Sequence, residues 1–162
     1  MRDISKWLGI AILVIVLDHL SKWWVSSTME LHQAIPVWPF FSLVRVHNYG
    51  AAFSFLADAG GWQRWFFIVI GIVATIIIVR LLKTHAHEPR MAWALALVLG
   101  GALGNVIDRV ILGYVVDFLY LHYREFAWPA FNIADSAISI GAAMLIWDSL
   151  FRKSTHAEKT VS

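Results

Sequence analysis

The chain has no cysteine and little charge. Without a thiol there is no cysteine nucleophile, no disulfide framework and no cysteine-ligated metal site. Only 15% of its 162 residues are Asp, Glu, Lys or Arg, against 59% hydrophobic, whereas soluble domains carry about a quarter charged residues. A composition so poor in charge describes a membrane protein with little mass outside the bilayer. The formal net charge of +2 is small. The basic residues gather at the chain ends and in one connection, so nucleic acid is not expected as a partner. An HExxH zinc-protease motif and a GxSxG nucleophile elbow are also missing. A Ser–Lys pair reduces to Ser21 beside Lys22, and adjacent residues on a helix point apart. There is no internal repeat and no low-complexity tract.

Four apolar segments are present: roughly Trp7 to Val25, Trp62 to Leu82, Met91 to Ile111 and Ile133 to Phe151. Each is close to the ~20 residues a membrane helix needs. The first resembles a secretory signal, but Asp18, His19 and Lys22 follow its apolar run where a small-residue cleavage site would stand, so a retained span is expected. The spacing predicts an all-α membrane domain over 1–151 and a flexible cytoplasmic tail over 152–162. Arg2, Lys6, Arg80, Lys83, Arg90, Arg152, Lys153 and Lys159 all fall on one side of such a bundle, eight of the thirteen basic residues. By the positive-inside rule that side is cytoplasmic, with both termini inside. The connections 26–61 and 112–132 then lie outside. The outer stretch "PFFSLVRVHNYGAAFSFL" mixes β-branched and aromatic residues and reads as a short strand pair or extended cradle on the membrane surface. "GYVVDFLYLHY" begins with a glycine that stops a helix and continues extended as a surface segment.

The polar residues of the spans fall in one thin layer at the outer ends. Asp18 and Lys22 share a face of the first span at i and i+4, and Asn105, Asp108 and Arg109 share a face of the third. Asp117 follows just outside, and Asn132 and Asp135 open the fourth span. Ala96, Gly100 and Gly104 extend the third-span face inward as a stripe of small residues that permits close helix packing. A charged residue at membrane depth costs about 2.5–3.5 kcal/mol and usually faces the bundle interior. Taken singly, each has a plain structural role. Asp135 suits a capping box with Asn132, Asp18 and Lys22 suit an ion pair, Asp108 and Arg109 suit a helix end, and Asp117 suits an interfacial loop. His85 and His87 lie in a polar inner loop with no third ligand and read as solvated. What these roles leave unexplained is the convergence of four acids, two amides and two bases from three spans.

Two carboxylates held close share a proton, so one can activate water while the other polarises a carbonyl and protonates a leaving amine. A transporter with a proton relay is the rival reading, although a relay should cross the membrane and the inner halves of the spans are apolar. A structural or chaperone-like subunit is a third. Composition and depth do not choose two acids out of the four.

The motifs "LDHLSK" (17–22), "NYGAAFSF" (48–55), "GNVIDR" (104–109), "VVDF" (115–118) and "FNIADS" (131–136) resemble, in order and spacing, those of the bacterial lipoprotein signal peptidase family, signal peptidase II. The resemblance covers nearly the whole chain. It implies a four-helix aspartic endopeptidase of the bacterial inner membrane with its active site at the outer, periplasmic face. It implies diacylglyceryl-modified prolipoprotein substrates cut N-terminal to the lipidated cysteine, contact with membrane lipid, a monomer, and no metal or organic cofactor. Matched by motif, Asp117 and Asp135 are the expected catalytic pair. Asn48, Gly104, Asn105, Asp108, Arg109, Asn132 and Ala134 are expected to shape the pocket or bind substrate, with Asp18 and Lys22 in support. Arg109 is expected to hold a backbone carbonyl of the substrate, and the segment around Asn48 to clamp the peptide by strand-like pairing.

Overall fold

A computed structural model describes residues 4–50 and 60–158 of the chain, with side chains up to 151. Among the described residues, four helices are long and apolar enough to cross a membrane: α1 (Ser5–Thr28), α2 (Trp62–His85), α3 (Pro89–Ile111) and α4 (Ile133–Glu158). They match the four expected spans. The backbone of α4 continues helical past Phe151, where a loose tail was expected to begin, and no glycine or proline in 152–158 interrupts it.

α3 is the hub and packs against each of the other three helices. Small residues allow this. Ala92, Ala96, Gly100 and Gly104, one turn apart, are buried along it, so backbones approach closely and dispersion contacts replace the hydrophobic effect that lipid cannot supply. Gly104 sits where α1, α3 and α4 meet. A Cβ there would lie 2.9 Å from Asp18 Oδ2 and 3.5 Å from the Ala134 methyl. α1 turns one stripe inward, Trp7, Ala11, Val14, Asp18, Lys22 and Val25. The three- and four-residue spacing is that of one helix face, so the acid and the ammonium continue an apolar ridge and are carried into the bundle by it.

Outside the bundle stands a small open antiparallel sheet of β1 (Ala34–Trp38), β2 (Phe41–Asn48), β3 (Val115–Tyr123) and β4 (Phe126–Ala127), in that order. Within the described part of the expected strand pair or cradle around residues 39–56, Phe41–Asn48 form one strand, β2. Its partners are β1 just upstream and β3 from the other outer connection. Residues 51–55 of "NYGAAFSF" lie outside the described residues. α3 ends at Ile111, and Gly113 at φ +88° turns the chain out into β3, a conformation that favours glycine.

Candidate active site

Asp117 lies on β3 and Asp135 in the first turn of α4. Two features bring these elements together. Phe118 and Leu119 donate their backbone N–H groups to Phe131 O at 3.0 and 2.8 Å, and Phe131 N–H returns a bond to Leu119 O at 3.0 Å. The chain therefore enters α4 as a short extra strand on β3, directly beside Asp117. Asn132 then caps the helix. Its Oδ1 accepts the Asp135 N–H at 2.9 Å, and Asp135 Oδ2 accepts the Asn132 N–H at 3.3 Å, which is a reciprocal capping box. The structural role considered for Asp135 is thus real. The same Asn132 also donates Nδ2 to Asp117 Oδ1 at 2.6 Å, so one residue links the Asp117 carboxylate, through its side chain, to the Asp135 carboxylate, through its backbone N–H.

More donors surround the pair. Asn48 Nδ2 donates to Asp117 Oδ2 at 2.9 Å, and Asn105 Nδ2 donates to Asp135 Oδ1 at 2.7 Å. Asp117 is 2% exposed. Burial, joined by the nearby Asp135 charge, pushes its carboxyl up to about 7, against the bonds from Asn48 and Asn132 and the Lys22 charge. Desolvation dominates because the charged form loses its water. Near neutral pH the carboxyl is therefore poised between its two forms, as proton exchange with a reacting group requires.

Asp135 stands at one end of a cleft of about 600 Å³ lined by Asn48, Asn105, Arg109, Asp135 and Ser136 at its polar end, with Asp117 buried behind Asn48. Leu121, Trp128, Phe131, Ile138 and Ile140 form its apolar walls. Among the expected site residues, Asn48, Asn105, Asn132 and Arg109 join Asp117 and Asp135. Arg109 is 9% exposed and its charge acts on both acids. Its Nη2 donates to Gly50 O at 2.8 Å and its Nη1 to Asn105 O at 3.1 Å, with the guanidinium 5.0 Å from the Phe67 ring. Both carbonyls it holds belong to its own chain.

Asp18, Lys22 and Asp108 form a separate cluster on the α1 side. Lys22 Nζ lies 2.6 Å from Asp18 Oδ2 and 2.7 Å from Asp108 Oδ2, and all three residues are almost fully buried. Asp18 Oδ1 accepts the Ala134 N–H at 2.9 Å. Asp108 and Arg109, adjacent on α3, therefore serve different groups. His19, which the sequence reading left without a role, has Nε2 3.5 Å from Asp108 Oδ1. Its position one residue after Asp18 is the only sequence signal for it. Trp128 and Phe131, which wall the cleft, were also missed. Such apolar lining cannot be told from lipid-facing residues by composition alone.

Paired acids under a canopy of amides, opening on an apolar cleft in a four-helix bundle, have the chemistry of an aspartic peptidase built for a membrane. A family profile described as signal peptidase (SPase) II matches residues 10–151. The chain belongs to the signal peptidase II family. It is 56% identical over 150 residues to a lipoprotein signal peptidase of Teredinibacter turnerae, across 90% of this chain and 88% of that one. It is 52% identical over 150 residues to the lipoprotein signal peptidase of Paraburkholderia phymatum, across 93% and 90%. Two solved structures of a bacterial membrane enzyme, obtained by the in meso method, share the fold. One at 2.3 Å resolution has a TM-score of 0.85 at 34% identity, covering 93% of this chain and 91% of its own. One at 1.9 Å has a TM-score of 0.78 at 34% identity, covering 91% and 94%.

Proposed function

We propose that the chain removes signal peptides from diacylglyceryl-modified prolipoproteins, cutting N-terminal to the lipidated cysteine, with Asp117 and Asp135 as the catalytic pair. The observation that carries this reading is Asn132, which bonds to both carboxylates, to Asp117 through its side-chain amide and to Asp135 through its backbone N–H. The pair shares one proton. The ionised member takes a proton from water as that water attacks the scissile carbonyl carbon. The protonated member gives its proton to the carbonyl oxygen, forming a tetrahedral gem-diol. Collapse of that intermediate breaks the C–N bond, and a proton returns to the leaving amine of the cysteine. Asn48, Asn105 and Asn132 hold the carboxylates in register while this happens. No step in this scheme draws on a metal or organic cofactor.

The cleft suits a substrate anchored by acyl chains, because the polar end that would hold the scissile bond passes directly into apolar walls. The reaction sits at the outer face of the bacterial inner membrane, with both termini in the cytoplasm, as the eight basic residues on the opposite side favour. The working unit in this reading is a monomer in contact with membrane lipid. The experiment compares Asp117→Asn and Asp135→Asn with the unaltered chain in cleaving a diacylglyceryl-modified prolipoprotein, with melting curves beside each. Loss of cleavage in folded variants supports the assignment. Near wild-type cleavage in both would remove the acids from the mechanism.

A further inference from the structure

We propose that Lys22 is a positioning residue for Asp135, acting through Asn105: it fixes the Asn105 amide in the one orientation that donates to the Asp135 carboxylate. This rests on the assignment of Asp135 to the catalytic pair. A carboxamide has a donating end and an accepting end, and it can turn over unless something holds it. Three carboxamides surround the acids, and each presents its NH₂ to a carboxylate oxygen. Two are held by backbone donors. Asn48 Oδ1 accepts the Gly50 N–H at 3.0 Å, and Asn132 Oδ1 accepts the Asp135 N–H at 2.9 Å. A backbone N–H cannot become an acceptor, so those two amides cannot reverse.

Asn105 differs. Its Oδ1 accepts from Lys22 Nζ at 3.3 Å, with Asn132 Nδ2 more distant at 3.5 Å. Its orientation therefore depends on a side chain from another helix. Lys22 is well placed to impose it. Lys22 is 4% exposed; its ammonium donates to Asp18 Oδ2 and Asn105 Oδ1 and pairs by charge with Asp108 Oδ2 at 2.7 Å. Without Lys22, a reversed Asn105 would bring its oxygen against Asp135 Oδ1, where the present N···O distance is 2.7 Å. Two acceptors tolerate that contact only when the carboxyl carries a proton. Lys22 thus keeps a donor, and not an acceptor, against Asp135 Oδ1. The other charged groups facing Asp135 are Asp117 from β3 and Arg109 from α3. Those facing Lys22 are Asp18, on its own helix, and Asp108 from α3, with His19 against Asp108. None of these supplies Asn105 Oδ1 with a donor.

The test is the pH dependence of kcat/KM on a lipidated prolipoprotein. Lys22→Met alone would leave two buried acids uncompensated, so the informative variant is the charge-balanced pair Asp18→Asn with Lys22→Met, compared with Asp18→Asn alone. Asp18→Asn keeps Lys22 on Asn105, and whatever its rate, its acid limb stays where the wild type has it. The double variant lowers kcat more than it raises KM and moves the acid limb to higher pH by about one unit, partly because the Lys22 charge no longer acts on Asp117, so Asn105→Ala, which keeps Lys22, isolates the contribution of the amide. A double variant that cleaves slowly with an unmoved acid limb would reduce Lys22 to a packing residue. Should the double variant not fold, Asn105→Ala carries the test with Lys22 intact. The same upward movement is expected there, and an unmoved limb overturns the proposal. Absence of cleavage in the wild type would instead count against the peptidase reading itself.

Discussion

Replacing Asp117 with asparagine should make the protein more resistant to alkaline pH while abolishing cleavage. The carboxyl has an ordinary value of 3.8 and is held at about 7 in the folded chain, chiefly by burial. Between those values the folded protein keeps a proton that the unfolded chain has lost. Stability therefore falls as pH rises through the interval, and the loss is complete above about pH 7. At about 1.4 kcal/mol per unit the whole penalty is about 4 kcal/mol. About 3 kcal/mol of it develops between about pH 5 and about pH 8.5. Exposure of 2% leaves little solvent screening to reduce it. Asp117→Asn cannot ionise and escapes the penalty. Its NH₂ must oppose one of the two amide donors from Asn48 and Asn132, but the protonated wild-type carboxyl has the same conflict, so the two proteins are comparable near pH 5. The assay is thermal unfolding in detergent at both pH values, read from the fluorescence of the nine tryptophans. The wild type should lose several degrees more than the variant on going to the higher pH. Equal losses would refute the argument that the folded state holds Asp117 protonated against its burial.

Other substitutions probe the supports. Gly104→Ala drives a methyl to within 2.9 Å of the ion-paired Asp18 carboxylate and should cost about 1–3 kcal/mol, read as a lowered melting temperature; an unchanged one would mean the helices part freely. Asp18→Asn weakens a buried ion pair and should destabilise by up to about 3 kcal/mol, since Lys22 keeps Asp108. Its lost activity should track its lost stability, and lost activity at an unchanged melting temperature would contradict that role. Asn132→Ala removes the helix cap, worth about 1 kcal/mol, together with the bridge between the acids. Cleavage should fall by about a hundredfold or more, far beyond what the stability change explains, and a rate within a few-fold of wild type would show that the bridge is dispensable.

Much of the fold was legible because lipid imposes length and polarity so strictly. The four spans follow from apolar runs of membrane length, and Asp18, Lys22, Asn105, Asp108 and Asn132 were found by their depth. The family motifs pointed to Asp117 and Asp135. What depth alone could not give was the division of labour. Asp108 and Arg109 are neighbours on one face, yet one neutralises Lys22 and the other holds Gly50, because α1 and the outer loop approach α3 from different sides. The approach of Asp117 to Asn132 depends on Phe131 joining β3, a pairing between segments that carries no local signal. β2 was visible as an extended segment, but its partners were not, since strand pairing is settled by tertiary neighbours. The capping box around Asn132 and Asp135 was legible for a local reason: the spacing of the two residues is itself the geometry.

The most direct measurement is cleavage of a diacylglyceryl-modified prolipoprotein by the purified wild-type protein in detergent with a chelator present, with the product sequenced and the Asp135→Asn variant run beside it. Cleavage before the lipidated cysteine, insensitive to the chelator and absent in the variant, is the expected result. No cleavage by well-folded wild-type protein, or cleavage that survives in the variant, would contradict an aspartic pair at this site.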